Sequence, residues 1–324
     1  MKALIITEGG RNVGFGHITR CVALSQGFKS KGIDVSFIVN GDESVINYLL
    51  KEQYKIFNWI KEKDRLLVEV KKNNIIVIDS YLADKELYEE ISGIADDQLL
   101  IIDDYKRINY PIGVVVNPSI NSERFNYPQK NGVTYLLGKD YIILRKEFQN
   151  VSNKIINEKV KNILVTFGGI SHDNFMKKFL NFLSNNYSDF NYHIIANMDF
   201  NFNVKLKFNL YSNLSAVEMR DLMMKVDVCV SAGGQTIYEL ARVGVPTVGI
   251  CMADNQKFNL IGLKEERVIE YPGKLNSRMF EWIGKRLSTL LDCEKRCELS
   301  HAARSLIDGK GTERIVYKLM NPMN

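Results

Sequence analysis

The chain has 324 residues, 45% hydrophobic and 25% charged, a balance that supports two globular domains with separate cores and excludes a disordered or fibrous protein. A net charge of +5 without a dense Lys/Arg run argues against nucleic acid as a partner and fits an anionic small molecule. No apolar stretch reaches the roughly 18 residues of a membrane span, and residues 1–7 break into Glu8-Gly9-Gly10 before a signal-peptide core forms, so a cytoplasmic protein without membrane insertion is expected, monomeric or weakly homo-oligomeric.

Short β-branched apolar runs at 3–7, 35–39, 75–79, 99–103 and 114–117 alternate with amphipathic stretches, which is how the βα units of a parallel sheet read. Between the first two, residues 17–31 place Ile18, Cys21, Val22, Leu24 and Phe28 near one helical face and stop at Gly32. A polar stretch at 150–159, rich in Asn and Lys, reads as a linker. The same grammar then restarts, with strands at 161–167, 192–196, 204–211, 226–231 and 247–251 and helices near 173–186, 215–225, 235–243 and 254–265. The predicted class is α/β, two Rossmann-like parallel-sheet domains (1–150 and 151–324) of similar size facing across a cleft. The helical tail from about Phe280 is placed to pack back on the first domain. Five cysteines, Cys21, Cys229, Cys251, Cys293 and Cys297, lack CxxC spacing and read as packing or helix residues.

In parallel sheets ligands bind beyond the carboxyl ends of the strands. The first strand runs into Glu8-Gly9-Gly10-Arg11-Asn12-Val13-Gly14-Phe15-Gly16-His17, with Arg20 in the helix that follows. Gly14 and Gly16 fit a dinucleotide fingerprint, but Thr19 stands where the third glycine belongs, and a histidine at the helix mouth would crowd a pyrophosphate. His17 is instead the candidate general base, since a neutral imidazole accepts a proton near pH 7. Asp79 and Tyr81, in Asp79-Ser80-Tyr81 at a strand end, are grouped with it, the carboxylate to orient the ring or hold a sugar. Asn117 closes the next but one strand and joins the candidates. Of Asp103 and Asp104, neighbours in an extended segment, at most one faces the site.

In the second half, Ala232-Gly233-Gly234-Gln235-Thr236 enters a helix, and exposed amides at such a turn cradle a diphosphate. Thr236 adds a hydroxyl, and Glu239, one turn on, is placed to accept from ribose hydroxyls. Asn255 and Gln256 follow another strand and could meet sugar hydroxyls, while Asp254 there, like Ser171 or Asp173 after Gly168-Gly169, also suits a helix cap. No Asp-x-Asp occurs, so no metal site and no cofactor are expected, and charge on a leaving nucleotide would fall to amides and a helix dipole.

Taken together, Gly14-Phe15-Gly16-His17-Ile18-Thr19-Arg20-Cys21, Asp79-Ser80-Tyr81, Gly138 with Tyr141-Ile142-Ile143-Leu144-Arg145-Lys146-Glu147-Phe148, Phe167-Gly168-Gly169, Ser231-Ala232-Gly233-Gly234, Asn255-Gln256 and Asp308-Gly309-Lys310-Gly311-Thr312-Glu313-Arg314-Ile315 resemble the UDP-2,4-diacetamido-2,4,6-trideoxy-β-L-altropyranose hydrolases of pseudaminic acid biosynthesis. The resemblance implies a GT-B architecture related to the lipid-II-forming N-acetylglucosaminyltransferase. It implies UDP held mainly by the C-terminal domain, and metal-independent hydrolysis at C1 with His17 acting on the attacking water. Glu239 as the ribose ligand carries over from the wider glycosyltransferase pattern, and the loop around Leu214 is the expected uracil reader. The chain departs from the family at Thr7-Glu8-Gly9-Gly10, where an Arg-x-Asp element is usual. Such a change beside the sugar points to an altered substituent or an altered reaction. The alternatives are a GT-B glycosyltransferase using a UDP-sugar, a UDP-sugar 2-epimerase, and a non-catalytic nucleotide-binding module.

Overall fold

This computed structural model describes residues 1–11, 13–95, 98–168, 173–196, 203–273 and 278–321. The chain divides into two compact units, Met1–Lys146 with Gly309–Asn324, and Glu147–Asp308. The division therefore falls slightly before residue 150, and the last segment returns to the first unit.

In the first unit the described strands are β1 (Lys2–Gly9), β2 (Asp34–Gly41), β3 (Gln53–Ile56), β4 (Ile75–Asp79), β5 (Leu99–Ile102), β6 (Gly113–Asn117) and β7 (Val133–Leu137). They form one parallel sheet in the order β3-β2-β1-β4-β5-β6-β7. Successive side chains of β1 point to opposite faces: Ala3 and Ile5 join Leu24, Phe28 and Val316 on one side, while Leu4 and Ile6 join Trp59, Leu66 and Tyr88 on the other. Burial on both faces is why the central strands read as unbroken apolar runs. The edge strands β3 and β7 break that rule. Residues 53–55 are exposed and β3 carried little apolar signal, whereas β7 reads Val133-Thr134-Tyr135-Leu136-Leu137, an apolar run that the predicted strands left out, and buries only Leu136.

The second unit holds β8 (Asn162–Thr166), β9 (Asn191–Ile195), β10 (Lys207–Tyr211), β11 (Val228–Ala232) and β12 (Thr247–Ile250), parallel in the order β10-β9-β8-β11-β12. The sheets thus have seven and five described strands and are not of similar size. The stretch 150–159 is tied down by arginines of its own unit. Arg296, fully buried, donates to the carbonyls of Asn157 and Glu158, and Arg304 donates to that of Ser152.

The helix Gly311–Met320 packs Ile315, Val316 and Leu319 into the first unit's core. Its first residue touches backbone: a Cβ on Gly311 would lie 2.1 Å from the carbonyl oxygen of Ile142. A carbonyl cannot swing away as a side-chain tip can, so Gly311→Ala is expected to destabilise the first unit by at least about 1–3 kcal/mol, seen as a lowered midpoint in its urea unfolding curve. An unchanged midpoint would mean that this contact is not made. Among the described residues, no helix is long and apolar enough to cross a membrane.

Candidate functional site

Each sheet reverses its winding between two central strands, β1 and β4 in the first unit and β8 and β11 in the second, and parallel sheets bind ligands at such a point. In the first unit, β1 ends in a turn closed by Gly10 and Gly14, which exchange backbone hydrogen bonds of 3.1 and 2.7 Å. Both take positive φ (149° and 91°), conformations that glycine adopts without strain. The helix Gly16–Lys29 then begins, and a Cβ on Gly9 would meet Ile18 Cγ1 at 2.6 Å, so only glycine lets its first turn sit this close to the strand end.

His17, Arg20 and Cys21 lie three and four residues apart and share a helical face. That face looks onto Asp79, the last residue of β4, which pairs in register with Thr7 of β1 and has no exposed surface. His17 Nδ1 lies 2.7 Å from Asp79 Oδ1. Arg20 donates to both oxygens of Asp79 at 2.6 Å, and Cys21 Sγ lies 3.4 Å from Oδ2. Arg20 also forks to Asp104, at 2.6 and 3.0 Å. Asp104 accepts in addition from the hydroxyl of Tyr81, whose ring meets the His17 imidazole edge-on at 4.5 Å between centroids. Asp103 turns the other way and accepts from Tyr127, so the alternation expected of this pair places Asp104 at the site.

The electrostatics follow from this packing. Burial alone would push the Asp79 carboxyl up, but the Arg20 and His17 charges and their hydrogen bonds hold it well below the usual carboxylate range. Asp104 is likewise held low, Arg20 overcoming burial. For His17, burial works downward, yet the charge and hydrogen bond of Asp79 prevail and leave its pKa raised. Asp79 thus fixes the ring as an Nδ1–H donor and leaves Nε2 as the acceptor. Among the described residues Nε2 has no hydrogen-bond partner, and the side chain keeps 12% of its surface exposed.

Several expected ligands are occupied elsewhere. Arg20 is buried and its guanidinium bridges two carboxylates, so it stands as a clamp inside the cluster and not as a substrate contact. Asn117 is fully buried, accepting from Ser119 N and donating to Tyr127, which makes it a brace of its own loop. The N–H and carbonyl of Gly14 are engaged with Gly10, while Gly16 is exposed with open space where a Cβ would stand. Glu8 was not among the sequence candidates, and Asp104 was one only jointly with Asp103. For Asp104 the signal was a carboxylate at a strand end with only its face undetermined.

In the second unit, β11 leads through Gly233, Gly234 and Gln235 into the helix Thr236–Val243. Gly233 N donates to Ile250 O at 3.0 Å, so that amide belongs to the sheet, and an anion cradle here would begin at Gly234. A Cβ on Gly233 would lie 2.6–3.0 Å from three Leu260 atoms, because the helix Lys257–Glu265 packs directly on the turn. Asn259 from that helix donates to Gly233 O and accepts from the Tyr238 hydroxyl. Gln256 sits beside Gly234, its Nε2 at 3.9 Å from where a Cβ would be, and its Oε1 accepts from Met252 N. Glu239, in the first turn of its helix, is buried, with 1% of its surface exposed. Asn255 is exposed, Leu214 is half-buried before the helix Ala216–Lys225, and Gly168, beyond β8, is exposed with φ +88°. Gly169 and Ser171 lie outside the described residues. Gly233, Gly234, Gln235, Thr236 and Gln256 are thus brought together at one strand end.

No protein-family model matches the chain. It is 26% identical over 278 residues to an uncharacterized protein of Methanocaldococcus jannaschii, covering 79% of this chain and 57% of that one. It is 24% identical over 259 residues to the pseudaminic acid cytidylyltransferase and UDP-2,4-diacetamido-2,4,6-trideoxy-β-L-altropyranose hydrolase of Helicobacter pylori, covering 79% of this chain and 45% of that one. The chain thus spans about half the length of these two relatives. It is also 24% identical over 337 residues to the spore coat polysaccharide biosynthesis protein SpsG of Bacillus subtilis, covering 99% and 98%. Among solved structures it superposes on MurG of Acinetobacter baumannii with a TM-score of 0.67, 13% identity and 99% of each chain covered. The spinosyn rhamnosyltransferase SpnG complexed with thymidine diphosphate also gives 0.67, at 10% identity and 99% and 100% coverage. The fold is therefore that of the GT-B proteins, two Rossmann-like parallel-sheet units.

Proposed function

We propose that this chain hydrolyses a UDP-activated diacetamido-trideoxyhexose, UDP-2,4-diacetamido-2,4,6-trideoxy-β-L-altropyranose or a close relative, at the anomeric carbon, releasing UDP and the free sugar for nonulosonic acid biosynthesis. One observation carries the reading: a buried carboxylate holds His17 by Nδ1 and leaves Nε2 as an acceptor without a partner among the described residues. Such a dyad activates an attacking water. Nε2 takes a water proton as the water oxygen bonds to C1. The bond from C1 to the diphosphate oxygen breaks, its electron pair leaves on UDP, and the proton stays on the imidazole. The Helicobacter relative, whose name includes this hydrolase, supports the choice of sugar.

The diphosphate is assigned to the second unit. Around His17, two carboxylates, Asp79 and Asp104, outnumber Arg20, the one cation paired with them among the described residues, a field that repels phosphate and favours positive charge developing at C1. The turn from Gly234 into the helix Thr236–Val243 has one acid, Glu239, in the helix's first turn, and a helix start presents amides to an anion. Gln256 beside that turn and Glu239 one turn on are the proposed neighbours of the nucleotide, with Asn255, Leu214, Gly168 and Gly169 as further contacts.

The test is incubation with a panel of UDP-sugars, without acceptor and with chelator present. UDP and a reducing sugar should appear together. The unprotonated imidazole is the working form and its pKa is raised, so the rate should climb with pH through a midpoint above 6.5. The same dyad would deprotonate an acceptor hydroxyl; a protein inert without acceptor but active with one would replace hydrolysis by transfer. Turnover to an epimeric UDP-sugar would replace it by epimerisation.

A further inference from the structure

Glu8 falls in the Thr7-Glu8-Gly9-Gly10 segment, where the chain departs from the family it resembles, and the proposed reaction leaves it without a role. Its carboxylate is not turned outward. With 2% of its surface exposed, it reaches the loop after β4, where Oε1 accepts from Tyr81 N at 2.7 Å and Oε2 accepts from the Ser80 hydroxyl. Ser80 Oγ in turn accepts from Leu82 N at 2.8 Å and Ala83 N at 3.1 Å. Both lone pairs of that oxygen are therefore filled, and its single proton has to be donated. Two donors thus converge on Glu8, one on each carboxyl oxygen. An amide would set its NH2 against one of them, and an aspartate is one methylene short of spanning both. Among the described residues no cation lies within ion-pair distance of Glu8, so its two oxygens are held here by neutral donors alone.

We infer that Glu8 is a positioning residue that acts through Tyr81. By clamping the Tyr81 backbone it holds that ring edge-on to His17 and that hydroxyl on Asp104, and so sets the environment in which the imidazole titrates. The kinetic part of this inference rests on the hydrolase reading, while the titration part does not.

The experiment follows the His17 ring Cε1–H by NMR across pH in the full chain, its signal identified by its loss in His17→Asn. Glu8→Asp and Glu8→Gln are compared with the wild type, alongside kcat and UDP affinity. A clamp predicts that both variants displace the His17 midpoint, on the order of half a pH unit, because both release Tyr81. It also predicts a roughly ten- to hundred-fold loss of kcat with UDP affinity unchanged, the scale of a catalytic group moved by about an ångström. If Glu8 supplied only its charge, Glu8→Asp would titrate as wild type, and if it supplied only stability, neither variant would move the midpoint; either result overturns the inference. Should Glu8→Gln not fold, Glu8→Asp carries the test. A wild type that hydrolyses no UDP-sugar removes the hydrolase reading, while the titration still decides on the clamp.

Discussion

Replacing His17 with asparagine is expected to lower UDP release by roughly 10² to 10⁴ while leaving UDP affinity within a factor of about two, the range of a lost general base. Asparagine keeps a side-chain N–H that can reach Asp79 but offers no basic nitrogen where Nε2 stands, so the cluster behind it should survive. Affinity should hold because the diphosphate is assigned to the other unit, around Gly234 and Gln256. Single-turnover kinetics with calorimetric titration of UDP separates the two quantities. A variant that turns over at the wild-type rate removes His17 from the chemistry; one that loses UDP binding and rate together would move the diphosphate to the first unit. Asp79→Asn gives a companion measurement. With the carboxylate gone, the main influence raising the imidazole pKa is gone and only the weaker one of Asp104 remains, so the pH midpoint of any remaining activity should move down.

Arg20→Met should be the most destabilising single change in the cluster. The guanidinium lies between Asp79 and Asp104 and is the cation bound to both. Removing one partner of a buried ion pair costs about 3–5 kcal/mol, because charge is left buried without compensation. The loss should depend on pH in a defined sense. In the wild type, Asp79 and Asp104 have folded pKa values below their unfolded ones, so their contribution is present above about pH 4 and fades as pH falls through the folded values. Without Arg20, burial dominates and raises both carboxyls, which then take up protons more readily. The deficit against the wild type should therefore be largest near pH 7 and shrink toward pH 4. Urea unfolding of the first unit at both pH values measures this, and an equal deficit at the two would contradict the pairing. Arg20→Lys should recover only part of the stability, since a point-like ammonium cannot fork to two carboxylates at once.

Much of this cluster is legible in the amino-acid sequence. The spacing of His17, Arg20 and Cys21 places them on one helical face by helix geometry alone, and Asp79 closes a strand that an unbroken apolar run had already identified. Alternation along an extended segment required that Asp103 and Asp104 part company. Which of them joins Arg20 depended on where β5 sits in the sheet, and that is a long-range matter. The edge strand β3 escaped notice because an edge strand with exposed side chains has no reason to be apolar, while the apolar run Val133-Thr134-Tyr135-Leu136-Leu137 of β7 was itself legible. Arg20 and Asn117 looked like ligands because a polar residue at a strand or helix end is equally suited to a substrate and to a neighbour, and the pattern of residue types does not distinguish them.

The amino-acid sequence by itself determined the class of the protein: two parallel α/β sheets, their order along the chain, and the glycine-rich turns at which chemistry is placed. These rest on local rules, namely hydrophobic periodicity and the few residues that tolerate positive φ, and each can be evaluated within a window of some ten residues. Only the tertiary structure decided which polar groups are already engaged. That Arg20 bridges two carboxylates, that Glu8 turns inward to Ser80 and Tyr81, that the Gly233 amide belongs to the sheet, and that Gly311 lies against the backbone of Ile142 all follow from residues tens to hundreds of positions apart in the chain. A hydrogen bond is satisfied by whichever partner the fold brings within about 3 Å, and which partner that is depends on the packing of the whole unit.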